Sequence, residues 1–267
     1  MTKAIAATSD YFTQIWQMRY FWLSLVIKDL RTRYRGSVIG MGWSLLHPIA
    51  MTAVFCLVYT TLFDVSLIEY APFVLSGMTL WGFFMTVTHE ASQTFLISQA
   101  YLRQNPAPLA IYPLRTTLCG SFHFLLAMLV LFVYTWVVQG FGNLTAFGYL
   151  LSSLVLLFVI GWSMACCCGI LNVLFQDTQH LLQVFMQMMF YCSPVFYYPE
   201  MVEKRGMGWL VDINPFAACM ELIRAPVLRS EAPEIQSVLF AGGFALVLLC
   251  TATCLLARYQ RRLIFHL

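Results

Sequence analysis

The chain has 267 residues, of which 60% are hydrophobic and 10% charged, with a mean hydropathy of +0.76. A soluble domain carries about 25% charged residues, so the composition excludes an ordinary water-soluble fold and leaves room for one membrane domain and no sizeable soluble one. A net charge of +3 is too small for the basic surface that nucleic-acid binding requires.

Residues 1–10 are polar and small, and no short apolar run there ends in a small-residue cleavage site, so the start does not read as a cleaved secretory signal. Between residues 10 and 30, Phe12, Ile15, Trp16, Trp22, Leu23, Val26 and Leu30 recur at helical steps, while Gln14, Gln17, Ser24 and Lys28 fall elsewhere. This pattern predicts an amphipathic helix whose aromatic rings sit at headgroup level; packing on a partner protein is the other use of such a helix. Lys28, Arg31, Arg33 and Arg35 follow as a basic cluster.

The run Trp43 to Phe63 holds 21 residues without formal charge, enough to cross roughly 30 Å of hydrocarbon at about 1.5 Å per residue. A short loop with Asp64 and Glu69 leads to a second span near 71–89, ending at His89 and Glu90. Residues 91–110 are more polar, with Arg103, Asn105, Pro106 and Pro108. Spans follow near 114–138, 148–174, 181–198 and 236–257. The third and fourth are joined by an uncharged loop with Gly140, Gly142, Asn143 and Gly148, the fourth and fifth by a turn at Gln176, Asp177, Thr178, Gln179 and His180.

Between Glu200 and Arg229, two short apolar stretches are punctuated by Pro199, Pro215, Pro226 and Pro233. Each is too short to cross, and a structureless loop of this length is unusual. Two short helices that dip into the bilayer and return fit this pattern, as do two helices lying flat on the surface. The expected fold class is an all-α polytopic membrane protein: six transmembrane helices, an N-terminal interface helix and short re-entrant helices between spans five and six. It divides into an N-terminal segment 1–42, a membrane domain 43–258 and a tail 259–267.

Six spans put both ends on one side. Lys3, Arg19, Lys28, Arg31, Arg33, Arg35, Arg103, Arg115, Arg258, Arg261 and Arg262 fall on that side; Lys204, Arg205, Arg224 and Arg229 fall on the other. Positive residues favour the cytoplasm, which places both termini inside.

Eight of the nine cysteines (Cys56, Cys119, Cys166, Cys167, Cys168, Cys192, Cys250 and Cys254) lie in long apolar runs, Cys219 lies in a short one, and no CxxC pair occurs. They read as small buried hydrophobes rather than redox or metal groups. The chain has no GxxxxGK[ST] phosphate-binding loop and no HExxH pair, and its spans hold almost no ionisable residues. No metal site and no catalytic residue is expected. An energy source, if used, lies outside the chain.

The stretch Arg33-Tyr34-Arg35-Gly36-Ser37-Val38-Ile39-Gly40, then Trp43-Ser44-Leu45-Leu46 and Pro48, resembles the opening motif of ABC-2 type permeases that export polysaccharides, a family that includes O-antigen, capsule and teichoic-acid exporters. Gln176-Asp177 followed by Ser193-Pro194-Val195, and Asn214-Pro215-Phe216 with Arg224 downstream, resemble two later motifs of that family. One departure is Gln176, where the family often has a basic residue.

The resemblance implies a homodimer in the bacterial cytoplasmic (inner) membrane, bound to two copies of a separate ATPase subunit that holds ATP and Mg, with no cofactor in this chain. It implies a lipid-linked glycan, usually on undecaprenyl diphosphate, moved from the cytoplasm to the outer leaflet. It also implies a short docking helix for the ATPase between spans two and three, here about 91–108, with Gln99, Tyr101, Leu102, Arg103 and Gln104 on its contact face. Asp177 either caps the start of span five or touches the ATPase.

Lys28, Arg31, Arg33 and Arg35 suit anionic lipid and, because a guanidinium fork matches phosphate oxygens, also a substrate diphosphate. Aromatic faces stack on the C–H faces of sugars, which makes Tyr59, Trp81, Phe83, Phe84, Tyr191, Phe196, Tyr197 and Tyr198 candidate path residues; a boundary belt would use the same types. Asn214, Pro215, Glu221 and Arg224 are candidates for an outer gate, with Glu221 and Arg224 spaced to pair or to contact sugar hydroxyls. Two other functions stay open: an ABC-2 permease for a drug or lipid, and a membrane enzyme acting on a lipid-linked sugar.

Overall fold

The computed structural model describes residues 11, 13–63, 65–104, 107–140, 144–260 and 263. Phe12, Lys3, Asp64, Asn105, Pro106, Gly142, Asn143, Arg261, Arg262 and most of the tail lie outside the described residues, so the charge balance at the two ends is read without them. The described elements are helical, with no strand among them. In chain order they are α1 Arg19–Arg33, α2 Trp43–Phe63, α3 Leu67–Met85 with a π turn Thr86–Glu90, α4 Thr94–Ile97, α5 Gln99–Gln104, α6 Ile111–Gln139, α7 Leu144–Leu174, α8 Thr178–Cys192, α9 Pro199–Glu203, α10 Trp209–Asp212, α11 Pro215–Arg224 with a π turn Ala225–Arg229, and α12 Ile235–Tyr259.

Five helices are long and apolar enough to cross a membrane: Gly40–Thr61, Leu67–Glu90, Ile111–Val138, Thr145–Leu174 and Ile235–Tyr259. They match the expected spans one, two, three, four and six to within a few residues, and the protein is a multi-pass membrane protein. The expected fifth span, 181–198, is different. Helix α8 has 15 residues and stops at Cys192, about 22 Å against roughly 30 Å of hydrocarbon. Ser193-Pro194 ends it, because the residue before a proline is pushed out of the helical region; Ser193 is extended.

The expected surface stripe on the N-terminal helix is also corrected. Ile15, Leu25 and Val26 are buried, while Trp16, Tyr20, Leu23 and Ile27 are 65, 74, 42 and 48% exposed. The exposed apolar stripe runs at steps of four, three and four; it keeps Trp16 and Leu23 of the stripe read off the sequence and adds Tyr20 and Ile27, because Val26 lies on the side of α1 that packs on α6.

Helix α7 is the centre of the bundle and packs against α6, α11 and, most extensively, α12. Ala241 and Ala245 of α12 are buried four residues apart, a small-residue spacing that lets two membrane helices approach closely where lipid gives no hydrophobic drive. One core, with Val74, Leu80, Phe84, Leu157 and Ile160, fills the space between α3, α6 and α7. A second, with Ile15, Phe95, Leu102, Ile111, Tyr112 and Ile170, lies at the end where α1, α4 and α5 gather. Six cysteines are buried, four of them (Cys56, Cys166, Cys167 and Cys219) in these cores, Cys192 is half-buried, and Cys250 and Cys254 are exposed; all nine are free thiols.

Helix α11 enters the bundle steeply. Phe216 at its start packs on Trp81 and Phe84, which lie 14 and 17 residues along α3 from Leu67. Arg224 at its end meets Phe73 and Ser76, six and nine residues along. At about 1.5 Å per residue α11 therefore runs antiparallel to α3, from about 25 Å to about 10 Å below the start of that helix.

Packing at α7 makes a paired prediction. A Cβ at Gly161 would overlap the Phe83 ring, whereas a Cβ at Gly148, in the same helix, meets nothing within 4 Å. Gly161→Ala should lower stability by about 1–3 kcal/mol; Gly148→Ala should be neutral or gain up to about 1 kcal/mol from reduced backbone freedom. Thermal unfolding in detergent measures both, and equal losses would contradict this packing.

Candidate functional site

The break after α8 leaves irregular backbone inside the bundle, and each carbonyl from Cys192 to Phe196 has a donor. The Tyr197 hydroxyl donates to Cys192 O at 2.8 Å, and Val195 N–H donates to Ser193 O at 2.7 Å. Arg224 Nη1 donates to Pro194 O at 2.7 Å and Nη2 to Val195 O at 3.2 Å. The Tyr70 hydroxyl donates to Phe196 O. Arg224 also donates to Phe73 O and Ser76 Oγ, both at 3.2 Å, and its guanidinium carbon stands 3.6 Å from the Phe73 ring centre. Its residue is 4% exposed. Gly77 makes room for this junction: a Cβ there would sit 2.6 Å from Val195 O and 2.8 Å from Arg224 Nη2.

Sequence reading spaced Glu221 and Arg224 to pair or to contact sugar hydroxyls, and the pair does not form. Instead Glu221 pairs with Arg229, and Arg224 spends its donors on carbonyls and a hydroxyl. The expected helix start at Asn214-Pro215 is present: Asn214 Oδ1 accepts from Phe216 N–H at 2.9 Å, its Nδ2 donates to Ser193 Oγ at 2.9 Å, and Pro215 holds the first helical position. Beside this junction is a cavity of about 720 Å³ lined by Glu69, Glu200, Glu203, Asp212, Glu221, Glu231 and Glu234 together with Arg224 and Arg229.

The candidate path residues separate into two groups. Phe196 stacks on Phe55 with ring centres 5.2 Å apart and also meets Tyr59, Phe190, Tyr191 and Tyr197. Tyr198 packs on Tyr70 and Phe73. Tyr191 is 59% exposed, and Tyr59, Phe196, Tyr197 and Tyr198 are half-buried. Trp81, Phe83 and Phe84 are buried against Phe190, Phe124 and Phe216, and Phe83 also lines a cavity of about 550 Å³ with Arg33, Ser44 and His123.

At the opposite end of α3, Arg33 pairs with Glu90. The Tyr34 hydroxyl meets Ser44 Oγ, and His123 Nδ1 lies 3.0 Å from Ser44 Oγ and 3.3 Å from the Tyr34 hydroxyl. Arg115 of α6 grips Asp29 of α1 through two nitrogens. Lys28 Nζ donates to the Tyr101 hydroxyl at 2.8 Å and pulls that phenol below its ordinary pKa. Ala110 N–H donates to the Tyr11 hydroxyl at 3.1 Å, and burial pushes that phenol up to about 12. Of the four expected headgroup residues, Arg33 and Lys28 are thus engaged within the chain, and Arg31 and Arg35 are exposed.

The expected docking segment forms α4 and α5. Leu102 is buried, 4% exposed, and anchors α5; Arg103 and Gln104 are exposed, and Gln99 and Tyr101 are half-buried. Asp177 is at the start of α8, yet its side chain accepts no capping bond. Asn172 does that work: its Oδ1 accepts from Gln179 N–H at 3.2 Å and its Nδ2 donates to Ser92 O at 3.0 Å. Sequence reasoning also missed Ile97 and Phe175, 65 and 69% exposed at this end, and the polar stripe that His180, Gln183 and Gln187 form with the path candidate Tyr191 on one exposed face of α8. A count of amides at steps of three and four would have found the stripe; nothing local marks His123.

Two predictions follow from these contacts. Lysine lacks the planar fork, so Arg224→Lys should leave carbonyls unpaired and lower stability on the order of 3 kcal/mol, read as a fall in melting temperature; a wild-type melt would contradict the junction. Asn172→Ala should cost about 1–2 kcal/mol while Asp177→Ala costs a few tenths, and the reverse order would restore Asp177 as the cap.

Comparison with known proteins agrees on one family. Residues 20–228 match the family described as ABC-2 type transporter. The chain is 24% identical over 230 residues to the O-antigen export system permease protein RfbA of Klebsiella pneumoniae, covering 83% of this chain and 85% of that protein. It is 22% identical over 243 residues to the protein of the same name from Myxococcus xanthus, covering 90% and 92%. It is 20% identical over 244 residues to the polysialic acid transport protein KpsM of Escherichia coli, again covering 90% and 92%. With the match extending from α1 through the Arg224 junction, the chain belongs to the ABC-2 type transporter family.

Proposed function

We propose that this chain is the membrane-spanning subunit of an ATP-driven exporter that moves a lipid-linked polysaccharide, on undecaprenyl diphosphate, from the cytoplasm to the outer leaflet of the bacterial inner membrane. The observation that carries the reading is that relatives matched over more than four-fifths of their length are named for polysaccharide export. The basic end, with Lys28, Arg31, Arg33, Arg35 and Arg103, is then cytoplasmic, as are both termini. Helix α8 and the junction behind it supply the sixth crossing, and α9 to α11 form a re-entrant outer gate built on Asn214, Pro215 and Arg224; the depth of α11 beside α3 supports this. The exposed stripe Trp16, Tyr20, Leu23 and Ile27 suits an interface helix.

Two copies of the chain enclose the path. Gln183 and Gln187 are exposed on α8, and amides facing lipid would lack partners; a second copy across a hydrated path removes that cost. Tyr191 continues the stripe, and Tyr59, Phe196, Tyr197 and Tyr198 lie beyond it, with Trp81, Phe83 and Phe84 as the packing behind the wall. A separate ATPase, two copies per dimer, holds ATP and Mg and pushes on the cytoplasmic face through α4, α5 and the turn at Asp177, where Ile97, Arg103, Gln104 and Phe175 are exposed.

Deleting the gene should abolish surface polysaccharide and trap its lipid-linked form inside the cell, with full recovery from a plasmid copy; normal surface polysaccharide in the deletion strain would overturn the reading. Ile97→Asp with Phe175→Asp should cut co-purification of the ATPase at least tenfold with the melting temperature unchanged, since buried apolar anchors dominate such contacts. Undiminished co-purification would move the docking face elsewhere.

A further inference from the structure

We propose that Arg33, Tyr34, Ser44 and His123 form a binding site for the phosphate or diphosphate headgroup of a membrane lipid, and that Glu90 occupies Arg33 as an internal stand-in when the headgroup is absent. The proposal rests on the export reading above and assigns a place for the charged end of its substrate.

Four observations carry it. First, these side chains line a cavity of about 550 Å³ between α2, α3 and α6. Its lining is two-faced: the four site residues are polar, and Met78 and Phe124 are apolar. An amphiphile has this shape. Second, three polar groups converge: His123 Nδ1, Ser44 Oγ and the Tyr34 hydroxyl lie within 3.3 Å of one another, so the cluster can turn a hydroxyl hydrogen towards an oxyanion while its other members stay bonded to each other. Third, a second cavity of about 330 Å³ shares Arg33 and His123 with the first and adds Glu90 and Arg115. The Arg33–Glu90 pair stands where the two cavities meet.

Fourth, the two arginines here are held differently. Arg115 is gripped by Asp29 through two nitrogens and its side chain is 14% exposed; Arg33 meets Glu90 through one nitrogen, and their side chains are 39 and 43% exposed. A half-exposed, single-contact ion pair is weak, whereas a guanidinium on a phosphate makes two parallel bonds. Arg33 is therefore the exchangeable cation, and a phosphate, whose oxygens can take two guanidinium nitrogens where Glu90 takes one, is the ligand able to displace Glu90. The π turn Thr86–Glu90 that aims Glu90 at Arg33 is a helix irregularity of the kind found at functional sites.

The test uses the full chain in phosphatidylcholine nanodiscs, titrated separately with undecaprenyl diphosphate and with phosphatidylglycerol. Glu90→Gln removes the competitor and its repulsion, and should tighten binding about two- to fivefold, the range an exposed ion pair commands. Arg33→Gln should weaken binding at least about tenfold, and the double variant should bind as weakly as Arg33→Gln alone. A gain of affinity cannot come from damaged folding. Tightening with undecaprenyl diphosphate identifies the transported carrier as occupant; tightening with phosphatidylglycerol alone identifies a bilayer phospholipid. Unchanged or weaker binding of both lipids by Glu90→Gln, or a gain that persists without Arg33, overturns the site. That result with normal export leaves the export reading standing, whereas normal export from a strain lacking the gene overturns the export reading alone.

Discussion

The architecture depends on one buried cation. Helix α8 ends inside the bundle, and the irregular backbone that follows, buried from Ser193 to Val195, frees carbonyl oxygens that no helix satisfies. Such backbone survives in a membrane protein only if other groups satisfy it. Arg224 satisfies Pro194 and Val195 at once and ties them to Phe73 and Ser76 of α3, while Tyr70 and Tyr197 hold the flanking carbonyls. A carboxylate partner would neutralise the arginine and take its donors; carbonyl dipoles leave the charge in place and spread it over two elements. Gly77 is the counterpart, since any side chain there would enter the same space.

Helix α3 connects this junction to the other polar assembly. Its N-terminal half carries the Arg224 contacts, and its C-terminal end continues through the π turn into Glu90, Ser92 and α4. There α1 is fastened by Asp29 to Arg115, by Lys28 to Tyr101 and by Arg33 to Glu90. A displacement of α4 and α5 would thereby be shared with α1 through polar contacts and with the Arg224 junction through α3. Coupling of this sort needs rigid elements with more than one arrangement, and the Arg33–Glu90 pair is the contact in this chain best suited to exchange.

Much of the bundle was legible in the sequence, because a long charge-free run has few fates in water or lipid. The spans beginning near 43, 114, 148 and 236 needed no tertiary information, and neither did the Asn214-Pro215 helix start, whose capping chemistry is local. The end of the expected fifth span was not legible, because hydropathy continues through Val195 to Tyr198 while the helix stops at Cys192; Ser193-Pro194 marked the break. Roles set by distant partners stayed hidden. Arg224 looked like a helix-surface partner of Glu221 at a spacing of three, yet its partners come from residues 73, 76, 194 and 195. Asp177 had the right identity and place for a cap, but Asn172 reaches the same amide region from the preceding helix. His123 sits in an apolar run, and its meeting with Tyr34 and Ser44 exists only after α1, α2 and α6 pack.

The central claim is that this chain provides a passage and borrows its energy. The most direct measurement is movement of a lipid-linked glycan across proteoliposomes that hold the chain together with its proposed ATPase partner. The account predicts that the glycan becomes accessible on the far side only when ATP is hydrolysed and both proteins are present. Transfer at the same rate by the chain alone, or none when both are supplied with ATP and substrate, would contradict it.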